Sequence, residues 1–290
     1  MPRTSLTAGA ALVSLLAFGP STELGAGPST GLGASGLRAQ LPLEPRQDSG
    51  QGVTAAYEGW FKNADGSFSL LVGYFNRNQK QTLDIPAGPN NRIEPGGPDQ
   101  GQPTHFMPRR QWGVFTVRVP ADFGDRKLTW TIVANKHTTS VAMGLHPDYQ
   151  VEPLRDAAEG NTPPLVRLEP GGRTFQGPPL EVARALTTAT ARPLTLTLWA
   201  TDDGKVNSGQ RATDSPITVS WSKFRGPGDV SFANPRPPVD KADGRAETRA
   251  TFGAAGEYIL RGQVNDVSGD GGGGFQCCWT NVHVKVTVKP

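Results

Sequence analysis

The chain has 290 residues, a length that suits one large domain or two of ordinary size. Its formal net charge is only +3, and its basic and acidic residues are interspersed, so a nucleic-acid-binding surface is not expected. Charged residues make up 19% of the chain, whereas 36 glycines and 26 prolines lie mostly between apolar runs, a composition that favours many short strands over helices.

An apolar segment near the N-terminus predicts export. Arg3 precedes an apolar run over residues 6–18, which has signal-peptide length and is shorter than the ~20 residues that a membrane-spanning helix needs. We interpret residues 1–39 as a signal peptide and low-complexity leader, and residues 40–52 as a linker. An uncleaved anchor is the alternative. The expected location is secreted, periplasmic or cell-surface, with no transmembrane span in the mature chain.

The first half of the chain alternates between apolar and polar residues in several short segments. The clearest segments are residues 67–75, 113–119 and 127–134, where every second side chain is apolar. This period of two is typical of a strand with one buried face. A Pro/Gly/Asn-rich loop over residues 86–108 is long enough to be functional or disordered. Residues 53–153 are therefore predicted to form an antiparallel β-sandwich.

The second half, residues 163–290, shows the same alternation. Predicted strands include residues 193–200, 217–221 and 256–260, and the last strand, residues 281–289, alternates valine with polar residues. The fold class that follows is all-β, with two antiparallel, immunoglobulin-like sandwich domains behind the leader and linker.

The order of motifs in this half carries a family resemblance. An apolar strand ends in a D-D-G loop, a later strand ends in Trp221, a G-P-G turn follows, and Tyr258 lies two residues after Gly256. Over about residues 163–288 this order resembles bacterial PKD-type, immunoglobulin-like repeats. The resemblance implies an extracellular spacer or binding module. Trp221 and Tyr258 also fit the aromatic plug and the corner tyrosine of such sandwiches, so we expect both to be core residues.

Acidic residues cluster in two loops of the second half. In an immunoglobulin-like order, the loop with Asp202 and Asp203 meets the loop with Asp266 and Asp270 at one end of the sandwich. Carboxylates on loops are typical calcium ligands, so a calcium site is one hypothesis and calcium is the one cofactor considered. The other interpretation is turn formation, because Asp side chains readily cap local backbone.

The two cysteines, Cys277 and Cys278, are adjacent. Exported proteins usually pair their thiols, but neighbouring Cα atoms are closer than most disulfides allow. A vicinal disulfide, two free thiols and an intermolecular or metal link therefore all stay open.

The segment around the cysteines is rich in glycine and aromatic residues. Four consecutive glycines precede Phe275, and Trp279 follows the cysteines. An aromatic-tipped loop of this kind is suited to ligand binding, whereas the alternative is a hairpin loop whose aromatic side chains pack onto the sheet.

No residue pattern predicts catalysis, because none of the four histidines lies near a nucleophile motif. The leading hypothesis is a non-enzymatic, exported binding or spacer module that acts through the loops of its immunoglobulin-like domains. Its partner is expected to be an extracellular or cell-envelope protein or glycan. The alternative is a carbohydrate-binding accessory protein, using Trp60, Trp112 or Trp199, or a secreted hydrolase component.

Overall fold

The computed structural model describes residues 47–156, 160–205, 217–266 and 277–290. All of these residues belong to one compact unit. The predicted leader lies outside them, and the domain limits drawn from the sequence stay a prediction. Within these ranges, no helix is both long and apolar enough to cross a membrane.

The first part of the chain forms two three-stranded sheets and one short two-stranded sheet, all antiparallel. One sheet has the order β1-β2-β6, the second has the order β4-β7-β8, and β3 pairs with β5. The strands are β1 (Val53–Lys62), β2 (Phe68–Asn76), β3 (Leu83–Asp84), β4 (Asn91–Glu94), β5 (His105–Phe106), β6 (Arg109–Val119), β7 (Lys127–Ala134) and β8 (His137–Gly144).

Alternating apolar residues of β2, β6 and β7 fill the core between these sheets. Trp130 of β7 is fully buried, and the ring of Phe115 meets it edge-on at a centroid distance of 5.2 Å. Trp130 also donates a hydrogen bond to the side chain of Asn91 at 2.9 Å. The buried Asn91 amide in turn donates to the carbonyl groups of Ile85 and Pro103. The long loop predicted over residues 86–108 is thus tied to the core by a satisfied polar side chain.

The second part of the chain forms a five-stranded sheet, β10-β9-β12-β15-β14, and a four-stranded sheet, β11-β17-β16-β13. The pairings are antiparallel except that β11 runs parallel to β17. The strands are β9 (Leu165–Arg167), β10 (Thr174–Phe175), β11 (Val182–Ala189), β12 (Leu194–Thr201), β13 (Thr218–Arg225), β14 (Val230–Phe232), β15 (Arg245–Phe252), β16 (Gly256–Asn265) and β17 (Trp279–Lys289).

This strand order is immunoglobulin-like, since β9-β12-β15-β14 and β13-β16-β17 correspond to the two sheets of that sandwich. Trp221 on β13 is 3% exposed, and Tyr258 at the start of β16 is fully buried. The Tyr258 hydroxyl donates to the Ala254 carbonyl at 2.8 Å and accepts from the Gly228 amide at 3.1 Å. The all-β fold class, the two sandwiches and the core positions of both aromatic residues are confirmed. The narrower PKD assignment stays a prediction.

The corner tyrosine gives a direct test of this sandwich. Tyr258→Phe removes both hydroxyl hydrogen bonds from a buried site, so we expect the free energy of unfolding to fall by about 1–3 kcal/mol. Tyr149→Phe is the matched control, because that ring is half-exposed and the substitution is expected to change stability by less than ~0.5 kcal/mol. Urea unfolding of both variants measures the difference. Equal losses of stability would contradict the assigned corner.

Candidate functional site

The outer face of the β13-β16-β17 sheet is covered by the first sandwich. In β17, both alternating sets of side chains are buried from Trp279 to Val284, and exposure begins only at Lys285. Val282 and Val284 belong to the core of the second sandwich, whereas Asn281 and His283 lie on the opposite face of the strand. The sheet therefore has a packed layer on each side, and the junction of the sandwiches lies on its outer face.

Aromatic side chains form the apolar part of this junction. Phe224 of β13 belongs to the core cluster of the first sandwich. Trp279 is fully buried in a separate cluster with Phe61, Leu71 and Leu154. The Trp279 side chain therefore packs between the sandwiches and is not exposed to a ligand, which was its predicted role. The accompanying Phe275 lies outside the described residues.

A buried carboxylate lies at the centre of the polar part of the junction. Glu58 of β1, whose side chain is 1% exposed, forms an ion pair with Arg110 of β6 at 2.7 Å. Its second oxygen accepts a hydrogen bond from the Gly113 amide at 2.7 Å. Burial raises the pKa of Glu58, against the opposing charges of Arg110 and of Arg261 on β16. A side chain at Gly73 would collide with the carboxylate, so glycine makes room for this close approach.

Arg261 and Asn281 connect the two sandwiches by hydrogen bonds. The Arg261 guanidinium donates to the Asn281 side chain at 2.8 Å and to the Trp112 carbonyl at 3.3 Å. The Asn281 amide donates to the Gly113 carbonyl at 2.7 Å. Because Arg261 and Asn281 are 4% and 2% exposed, these bonds form away from solvent, where an unmade bond is costly.

Charged pairs also join the sandwiches near the edge of the junction. Arg225 of β13 holds both carboxylate oxygens of Asp99, at 2.7 and 3.0 Å. The nearly buried Lys223 lies 2.9 Å from Asp84. Burial raises the pKa of Asp84, but hydrogen bonds from Lys223 and His105 outweigh it and hold that pKa below its usual range. Two-oxygen recognition by arginine fixes geometry as well as charge.

His283 is a neutral histidine in the middle of these cations. Its ring lies 4.3 Å from the ring of Phe224. Burial lowers the pKa of His283 to about 3, and the positive charges of Arg261 and Arg225 act in the same direction. A hydrogen bond with the Val114 backbone acts against them. The junction therefore contains a group that must stay uncharged for the sandwiches to pack.

The described parts of the acidic loops lie together at one end of the second sandwich. Asp202, Asp203 and Asp266 come together there, and Asp266 accepts a hydrogen bond from Asn161 at 2.8 Å. Burial raises the pKa of Asp202, and repulsion from Asp266 and Asp203 raises it further. Asp270 lies outside the described residues. Among those described, no group of three acidic, histidine or cysteine side chains is arranged to hold a metal ion, and the calcium site stays a prediction.

The same loops show the turn chemistry that was the alternative to calcium. The Asp202 carboxylate accepts from the Gly204 amide at 3.0 Å, and Asp203 accepts from the Lys205 amide at 2.9 Å. Asp203 also accepts from the Thr162 hydroxyl at 3.0 Å. Both oxygens of Asp203 thus accept hydrogen bonds, whereas Asp202 uses one oxygen in the turn and its Oδ1 is buried with no hydrogen-bond partner among the described residues.

Cys277 and Cys278 lie beside this acidic end, where the chain enters β17. Their sulfur atoms lie against each other and both residues are buried, and the vicinal disulfide stays a prediction. The Cys278 carbonyl accepts a hydrogen bond from the Asp266 amide at 3.1 Å, which links the cysteines to the acidic loop. The redox state in solution stays a prediction.

Comparisons with known proteins report no match to a family model and none among curated proteins. Among solved structures, the chain is similar to the D0-D1 domains of intimin, with 13% identity over 82% of this chain and 97% of that chain and a TM-score of 0.25. It is also similar to domains 4 and 5 of the S-layer protein SbsC, with 11% identity over 83% and 98% and a TM-score of 0.22. TM-scores this low do not show a shared fold, so the fold assignment rests on the observed strand order.

The sequence did not identify Glu58, Arg261, Asn281 or His283 as junction residues. Arg261, Asn281 and His283 lie on the polar side of an alternating strand, where solvent is the default expectation, and Glu58 lies on β1, which shows no clear alternation. A weak signal exists in β17, since its first six residues carry no Lys or Glu and its lysines begin at Lys285. The absence of Lys and Glu from one half of a strand indicates that another layer covers that half.

The buried histidine predicts how stability depends on pH. An unfolded histidine binds a proton below about pH 6.5, whereas folded His283 stays neutral until about pH 3. Its contribution to stability is therefore complete above pH 6.5 and is lost as the pH falls, by about 1.4 kcal/mol per pH unit. His283→Gln should make the pH dependence shallower by that amount in urea unfolding between pH 7 and 4. His137→Gln, at an exposed histidine, should keep the wild-type slope, and an unchanged slope in His283→Gln would contradict the assignment.

Proposed function

We propose that this protein is an exported, non-enzymatic surface module that holds its two sandwiches in a fixed relation, so that it spaces or presents components outside the cell. The observation that carries the proposal is the buried junction built on Glu58, Arg110 and Arg261. Two domains in one chain usually move relative to each other unless their interface is large and tightly packed. Here, relative movement would expose Trp279 and separate buried charges from their partners.

The proposal also covers the location of the protein and its binding partner, each on a separate observation. The apolar segment over residues 6–18 supports export. The partner is an extracellular or cell-envelope protein or glycan. It binds at the acidic end of the second sandwich, where Asp202, Asp266 and the cysteine pair lie. Loops held on a rigid scaffold are the usual place for such contacts.

The alternative of a carbohydrate-binding accessory protein requires an exposed row of aromatic rings. Trp60 is 9% exposed, and Trp112 lies under the guanidinium group of Arg110 at 3.7 Å. Trp199 is partly buried on β12 in the second sandwich. These three residues therefore favour a structural role over sugar binding by a tryptophan row. A secreted hydrolase component stays the remaining alternative.

Rigidity at the junction is the testable part of the spacer function. Two cysteines introduced by Asp122→Cys and Lys241→Cys lie at exposed positions in different sandwiches and can carry spin labels. Pulsed electron paramagnetic resonance then measures the distance between the two labels. We expect a single narrow distance distribution. Glu58→Gln leaves buried cations without their anion, so it should broaden the distribution and lower the free energy of unfolding by about 3 kcal/mol.

Glu257→Gln is the matched control, since Glu257 pairs with Lys285 at the exposed end of the second sandwich. It should keep both the narrow distribution and the wild-type stability. A broad distance distribution in the spin-labelled protein that keeps Glu58 would contradict the spacer function. Protease added to intact cells of the native host tests export separately, because a surface module should be cleaved without lysis.

A further inference from the structure

The first sandwich has an open groove of about 600 Å³ that contains none of the site residues predicted from the sequence. Its walls are the turn at residues 124–127 and the segment 141–149, with Tyr57 of β1 between them. We name it the aromatic groove. We propose that the aromatic groove binds a neutral oligosaccharide. This inference is independent of the spacer function, and it uses none of the tryptophans considered for sugar binding.

Tyr149 supplies an exposed aromatic platform in the groove. Its side chain is 51% exposed, one of few large apolar side chains among the described residues that are accessible to this degree. The Tyr57 ring lies 5.4 Å away at 35°, and the His146 ring meets Tyr149 nearly edge-on at 6.2 Å. The apolar C–H face of a pyranose ring packs on a platform of this kind, whereas the sugar hydroxyl groups point outward.

The wall that carries Tyr149 is held firmly against β1. The Tyr57 hydroxyl donates to the Gly144 carbonyl at 2.6 Å, and the Trp60 indole donates to the His146 carbonyl at 2.8 Å. At Gly59, which has a φ of 125°, a Cβ would lie 2.5 Å from the Tyr149 carbonyl oxygen. Glycine thus permits the wall to approach closely. A groove held in shape before binding loses less entropy when a ligand arrives.

Two polar side chains at the groove are free to contact a ligand. The side chains of Asp125 and Lys127 form no hydrogen bond or ion pair with any residue that the structure describes. The intervening Arg126 is already used, because its guanidinium donates to the Phe123 carbonyl at 2.8 Å and to Asp122 at 3.1 Å. One free carboxylate and one free ammonium group therefore face the groove.

This balance of charge selects the class of ligand. A carboxylate accepts hydrogen bonds from sugar hydroxyl groups and an ammonium group donates to them, so a neutral sugar satisfies both. Arg126 also lines the groove, but its charge is offset by its ion pair with Asp122, so the turn as a whole offers no net positive charge to an anionic saccharide. The volume of the groove lies within the range of small-ligand pockets and leaves room for one or two sugar rings.

Isothermal titration calorimetry of the full-length chain tests the proposal. The probes are cellohexaose, xylohexaose, mannohexaose and chitohexaose, with hexagalacturonate as the anionic comparison. We expect at least one neutral hexasaccharide to bind. Tyr149→Ala should weaken that binding about tenfold or more, Asp125→Asn should weaken it several-fold, and Tyr149→Phe should retain it.

Leu180→Ala is the control variant, because it removes another exposed apolar side chain, 59% exposed, from the second sandwich. It should leave binding unchanged, and the melting temperature of every variant should stay near that of the wild type. Failure of all four neutral probes to bind would overturn the proposal. Binding that survives Tyr149→Ala would overturn the assigned site, and a preference for hexagalacturonate would overturn the ligand class.

Discussion

The structure depends on one buried carboxylate. Glu58 lies where the sandwiches meet, pairs with Arg110 at 2.7 Å, and accepts the Gly113 amide at 2.7 Å. A charge in such a place is tolerated only if its partners are fixed, because an unpaired buried ion costs several kcal/mol. Arg261, which lies in the field of the same carboxylate, comes from the second sandwich. The direct links between the two halves beside Glu58 are the hydrogen bonds from Arg261 to the Trp112 carbonyl and from Asn281 to the Gly113 carbonyl.

Other contacts at the junction depend on the same alignment. The Asn281 side chain on β17 reaches the Gly113 carbonyl on β6, and Trp279 fills the apolar cluster with Phe61, Leu71 and Leu154. His283 stays neutral there because burial lowers its pKa, and the positive charge of Arg261 acts in the same direction. The aromatic groove and the acidic end are consequently carried by one body, which suits a protein that presents surfaces at fixed positions.

The sequence predicted the strands in which apolar and polar residues alternate clearly, because alternation depends on local residues alone, but it did not predict β1, β8 or β11. Trp221 and Tyr258 were placed in the core, and the meeting of Asp202 with Asp266 followed from strand order. Alternation specifies which face a side chain occupies but not what covers that face, so His283 looked solvent-facing. The aromatic groove had no local signal either, since it forms where Tyr149 folds back beside Tyr57, 92 positions earlier in the chain.

The measurement that tests the central claim most directly is differential scanning calorimetry of the full-length protein. If the buried junction makes the two sandwiches one cooperative unit, they unfold in a single transition whose calorimetric and van't Hoff enthalpies agree. Two separate transitions, or a calorimetric enthalpy about twice the van't Hoff value, would mean that the sandwiches unfold independently. That result would contradict a structure that depends on Glu58.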